Sequence, residues 1–172
     1  MFDEKKSVEM IENFGSHYNY DVDYIKRMIK QAPNAYEKFE SFLPMASYYE
    51  KAPDEVIFLV KLAVMKNEDC GACLQLNVNM AIEAGVDEQI VKEIVFNKGR
   101  NLPEELKELY EFILNVAKNE SIDDKLYSKI SNKYGHEIMI EIALASASAK
   151  VFPTIKRVLG DIESCSVIQI KV

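Results

Sequence analysis

Residues 54–85 read DEVIFLVKLAVMKNEDCGACLQLNVNMAIEAG, and the way this stretch folds decides the architecture. Asp54 to Lys66 is apolar nearly all round: Val56, Ile57, Phe58, Leu59, Val60, Leu62, Ala63, Val64 and Met65. A surface helix carries an apolar stripe, whereas a helix apolar on every side is a buried one. The pattern therefore predicts a central helix that leads directly into Cys70-Gly71-Ala72-Cys73. Beyond the cysteines, Leu74-Gln75-Leu76-Asn77-Val78-Asn79-Met80 alternates with period two, the pattern of a half-buried strand. Ala81 to Ala84 continues in good helix formers, Gly85 suits a C-terminal cap, and no partner strand is legible nearby. The stretch is therefore read as two helices that meet at the cysteines.

Outward from it, helical periodicity dominates. From Pro103 to Asn119, Leu106, Leu109, Tyr110, Ile113, Leu114 and Ala117 follow the i, i+3, i+4, i+7 rule. Pro103 suits a first helical position, and Glu104 and Glu105 complement the positive end of the dipole. Asp123-Asp124 opens a helix that Gly135 stops, and His136 to Leu159 reads as a long helix bent at Pro153. Asp87 is an N-cap for Glu88 to Asn97, closed by Gly99. Glu4 to Phe14 and Val22 to Gln31 are shorter helices, and another runs from Asn34 to Tyr49 with a break at Pro44. Ser166 to Val172, rich in Val and Ile, reads as a short strand or an arm. The expected fold class is all-α, a helical bundle.

The chain has 172 residues, of which 48% are hydrophobic and 28% charged, with a net charge of −7. That length is one domain, large enough to bury a core without disulfides or metals. An acidic balance without a cationic footprint argues against nucleic acid or an anionic membrane surface as partner. The longest strongly apolar stretch, Val56 to Val60, is too short to span a bilayer. Met1-Phe2-Asp3-Glu4-Lys5-Lys6 has no apolar core after its charges, so no secretory signal is read and a cytoplasmic address is expected.

There are three cysteines, Cys70, Cys73 and Cys165. An odd, small number is not a disulfide scaffold. With Cys70 at the start of a helix and Cys73 one turn in, both sulfurs come to one face, close enough to form and break a disulfide. The unpaired N–H groups and positive dipole end there stabilise a thiolate, while the charges of Glu68 and Asp69 act against it. Thiolate attack on a peroxide gives a sulfenic acid that the neighbouring thiol resolves, and attack on a disulfide gives exchange. Asn77 lies on the same face and can hydrogen-bond a thiol, a water or a substrate oxygen. The bland reading is a pair of inert core residues. Zinc takes four ligands, and only Cys165, His17 and His136 remain as scattered candidates, so neither a metal nor a cofactor is expected. The aromatic run from Tyr36 to Tyr49 reads as core, His136 as a residue of a helix start, and Cys165 as a bystander.

LAVMKNEDCGACLQLN followed by AIEAGVDEQIVKEI resembles the carboxymuconolactone decarboxylase and AhpD-like alkylhydroperoxidase superfamily. Its signature is an apolar helix, a small polar turn, C-x-x-C-x-x-x-H, and a helix closed by A-G-hydrophobic before an acidic helix start. The resemblance covers residues 33–160, leaving 1–32 as an N-terminal helical extension and 161–172 as a C-terminal tail. It implies an AhpD-like bundle assembled as a homo-oligomer, a trimer or hexamer. It also implies a peroxide or disulfide substrate and a dithiol protein as reductant. By position, Cys73 corresponds to the thiol that attacks peroxide and Cys70 to the resolving thiol. Two positions depart from the pattern: the motif histidine is Asn77, and the family's glutamate falls on Phe58. Glu55, one turn away, is the candidate substitute, with Glu68 or water as other proton sources. The function expected is a thiol-disulfide oxidoreductase or weak alkylhydroperoxidase. The competing readings are a non-catalytic or redox-sensing member of the family and a small-molecule lyase using the same pocket.

Overall fold

A computed structural model describes residues 3–161 and 168–170, and among them the fold is all-α, with no strand. The helices are α1 (Glu4–Tyr18), α2 (Asp23–Gln31), α3 (Pro33–Ser47), α4 (Asp54–Asn67), α5 (Gly71–Glu83), α6 (Glu88–Asn97), α7 (Glu104–Lys118) and α8 (Asp124–Leu159).

Helix α4 is the axis of the bundle. Every residue from Val56 to Met65 is buried, and α5, α6, α7 and α8 all pack against it. The period-two stretch after the cysteines is helical. The buried positions of α5 are Cys73, Leu74, Asn77, Val78 and Ala81, a helical stripe. Leu76 and Met80, which created the alternation, face a cavity instead.

The core has two parts. The larger runs from Ala52 to Ala149 around α4, and the smaller gathers Ile11, Tyr20, Val22, Tyr24, Ile25, Ile29, Tyr36 and Phe39 of the first three helices. Phe152 of α8 packs against both. Tyr36 and Phe39 of α3 belong to the smaller cluster.

Several helix ends differ from the sequence reading. Helix α1 passes Phe14 and ends at Tyr18, with Asn19 in the left-handed conformation as its cap. Gly15 is not a stop but a packing contact. A Cβ there would lie 2.8 Å from the Tyr20 carbonyl oxygen and 3.0 Å from Val22. Pro44 does not break α3. It removes one N–H only three residues before the helix ends, and the Ser47 hydroxyl donates to the Leu43 and Pro44 carbonyls there. Pro103 is an N-cap rather than the first helical residue. Gly135, by contrast, stops the helical geometry as its sequence reading predicts, with φ 73° and ψ 170°, and a second helical run follows through Pro153.

Helix α8 is long and apolar enough to cross a membrane by length and composition. A core helix meets the same description, and α8 lays Ile142, Ala145 and Ala149 into the larger cluster with α4. Cys165 and most of the stretch read as a strand or arm lie outside the described residues. Residues 168–170 form no strand. There the Gln169 N–H donates to Gln75 Oε1 at 2.6 Å, and Gln75 Nε2 donates to the Gln169 carbonyl at 2.8 Å.

Candidate active site

The turn between α4 and α5 positions the cysteines. Asp69 adopts a left-handed conformation (φ 52°) that small polar residues tolerate, which turns the chain back along α4. Cys70 follows in extended geometry as the N-cap of α5, and its carbonyl accepts from the Leu74 N–H at 2.8 Å. Cys73 sits in the first helical turn. The two sulfurs lie at disulfide-bonding distance, with the Cα atoms 5.3 Å apart. Both side chains are buried, Cys70 at 2% exposure and Cys73 at 1%.

The carboxylates before the pair are not equivalent. Glu68 is turned to α8, where Arg157 Nη1 lies 3.6 Å from Glu68 Oε2 and Arg157 Nη2 donates to the Glu68 carbonyl at 2.7 Å. The guanidinium therefore offsets the negative charge that would otherwise oppose thiolate formation. Glu55 is exposed in the first turn of α4, separated from the cysteines by most of that helix, about 18 Å of axis. The structure does not bring it to the pair. Phe58, twelve positions before Cys70, is buried in the core.

Asn77 is brought to the pair, but with its amide already engaged. Its Nδ2 donates to the Cys73 carbonyl oxygen at 2.9 Å, one turn back in the same helix. Its Oδ1 only accepts and its second N–H can still donate, but a side-chain amide is no proton relay near neutral pH.

A cavity of about 250 Å³ opens beside Cys73. Its far walls come from the first three helices, with Ile11, Phe14, Tyr24 and Leu43, and from Phe152 of α8. Cys73, Asn77, Lys61 and Ser148 also line it. Sequence reasoning missed the last two. Lys61 is the only charge within the buried run Val56 to Met65, and that isolated charge was the available signal. Ser148 carried none. Burial holds the Lys61 amine below the usual lysine range. Among the described residues no group of three or more His, Cys, Asp or Glu side chains is arranged to hold a metal ion.

No protein-family model, curated protein or solved structure matches this chain.

Proposed function

We propose that the protein is a thiol-disulfide oxidoreductase with alkylhydroperoxidase-like chemistry, in which Cys73 attacks and Cys70 resolves. The observation that carries this reading is the meeting of both sulfurs at the start of α5, with Cys73 on the wall of an apolar cavity. The helix N-terminus favours the thiolate, and the cavity offers space for a substrate beside it.

In the reduced protein the Cys73 thiolate attacks the terminal oxygen of a hydroperoxide. The O–O bond breaks, the alkoxide takes a proton and leaves as the alcohol, and Cys73 becomes a sulfenic acid. The Cys70 thiol then attacks that sulfur, water leaves, and the disulfide closes. An external dithiol reduces it by two successive exchanges. With a disulfide substrate, the same pair passes its electrons through a mixed disulfide. The buried pair has neither Glu55 nor a relay histidine beside it, so protons come from water or from the substrate side.

The AhpD-like arrangement, a trimeric or hexameric assembly, a cytoplasmic address and a dithiol protein as reductant are part of the same proposal. Exposed Tyr127 and Ile140 line an apolar groove between α7 and α8, which supports self-association. A second reading, a redox sensor rather than a catalyst, is favoured by the near-complete burial of both cysteines. Dithiol-dependent consumption of an organic hydroperoxide tests the choice. Turnover that is lost in both Cys70→Ser and Cys73→Ser supports the enzyme. Equal turnover in either variant overturns it, and reversible oxidation without turnover selects the sensor.

A further inference from the structure

The buried Glu141 and the half-buried Lys66 both have their charges met. The Glu141 carboxylate accepts N–H donors from Glu50, Lys51 and Ala52, and Lys66 Nζ donates to the Ile94 and Val95 carbonyls. Lys61 is different. It lies in the middle of α4 at 7% exposure, with Nζ over the rings of Tyr49 and Phe58 at 5.8 and 5.4 Å from their centroids. Among the described residues no carboxylate pairs with it and no oxygen accepts a hydrogen bond from it. An ammonium largely withdrawn from water, with ring faces rather than oxygens beside it, is costly, and an anion beside it relieves that cost.

Lys61 faces the cavity beside the cysteines, and so does a second unmet polar group. Ser148 is 1% exposed, and its Oγ has no hydrogen-bond partner. A buried hydroxyl is ordinarily satisfied, so an orphan on a cavity wall is a donor awaiting an acceptor. The remaining walls are mostly apolar, with Ile11, Phe14, Leu43, Met65 and Phe152, although Asn77 and Ser47 also reach them.

We propose that this cavity binds a small apolar monocarboxylate, its carboxylate between Lys61 and Ser148 and its hydrocarbon against the apolar walls. One cation and one hydroxyl balance a single negative charge. A phosphate or dicarboxylate would leave charge uncompensated against apolar walls. The volume, about 250 Å³, exceeds the roughly 150 Å³ of an engineered apolar cavity that takes up benzene, and suits a chain of about six to eight carbons. Binding needs no electron transfer, so this site stands or falls apart from the sulfur chemistry.

Calorimetric titration of the oxidised full-length protein with octanoate and with 1-octanol tests it. Octanoate is expected to bind at one site, with affinity reduced at least about tenfold in Lys61→Met and less in Ser148→Ala, while 1-octanol changes less than about threefold in Lys61→Met. Absence of octanoate binding by the unaltered protein, or equal octanoate affinity in Lys61→Met, overturns the proposal. A measurement on the unaltered chain guards against a misfolded variant. Octanoate is expected to slow the acylation of Lys61, read by peptide mass spectrometry, while leaving exposed Lys38 unchanged. Equal acylation of Lys61 with and without octanoate overturns the proposal.

Discussion

The side-chain amide of Asn77 donates to the backbone carbonyl of Cys73 at 2.9 Å, one turn back in the same helix. An amide cannot exchange a proton near neutral pH, and this one is already hydrogen-bonded within its own helix. Asn77→Ala is accordingly expected to change the rate of thiol oxidation by less than about threefold, because the helix carbonyl retains its backbone partner. Asn77→His is expected to raise the second-order rate with an organic hydroperoxide by about tenfold or more. Stopped-flow measurement of the reduced variants checks both outcomes.

Arg157 pairs with Glu68, two residues before Cys70. Arg157→Gln removes the cation 3.6 Å from the Glu68 carboxylate and leaves that negative charge uncompensated. The Cys70 thiol of the reduced variant is expected to ionise at a pH higher by about half a unit, an effect that shrinks as salt is added. The pH dependence of alkylation, resolved by peptide, measures it. A lower ionisation pH would contradict the assignment.

Glu141 fastens the loop before α4. Burial works to raise its pKa, but donors from the Ala52, Glu50 and Lys51 backbones, with the nearby Lys51 charge, hold it below the ordinary carboxylate range. A depressed folded-state pKa stabilises the fold above the unfolded value, about 4.3, and that stabilisation is lost as pH falls through the folded-state value. Glu141→Gln is expected to lower stability at neutral pH by roughly 1–3 kcal/mol and to flatten the loss on acidification. Denaturant titrations at neutral and acid pH compare the two proteins.

Gly15 holds the α1–α2 turn against the rest of the smaller cluster. A methyl group there would meet the Tyr20 carbonyl at 2.8 Å, and backbone yields less readily than a side-chain tip. Gly15→Ala is expected to cost about 1–3 kcal/mol despite the better helix propensity of alanine. Thermal unfolding of the variant reads the sign directly.

The central helix was legible because an uninterrupted apolar run has few places to go, and the cysteine turn followed from Cys70 and Cys73 beside it. The Leu74 to Met80 alternation was legible as helix from the helix formers Ala81 to Ala84 and the Gly85 cap, and in the folded chain Gln75 and Asn79 bond to each other one turn apart. Less legible were features set by tertiary contact. Gly15 looks like a helix stop until Tyr20 and Val22 fold over it, and Pro44 looks like a break unless the helix is known to end three residues later. In the candidate site, the sequence placed Cys70, Cys73 and Asn77 on one face. It could not show that Glu55 lies at the other end of α4, or that Lys61 and Ser148, 87 positions apart, line one cavity. Proximity between residues of different helices is a property of packing, and local pattern does not encode it.

The central claim is that Cys73 passes two electrons to a peroxide and that Cys70 then closes the disulfide, which an external dithiol reduces. Mass spectrometry after a single turnover tests it most directly. The reduced protein is mixed with an equimolar organic hydroperoxide, alongside Cys70→Ser treated in the same way with a sulfenic-acid trap. The account predicts conversion of the hydroperoxide to its alcohol with closure of the Cys70–Cys73 disulfide, and a trapped sulfenic acid on Cys73 in the variant. Unchanged thiols with intact hydroperoxide, or a trapped adduct absent from Cys73, would contradict it.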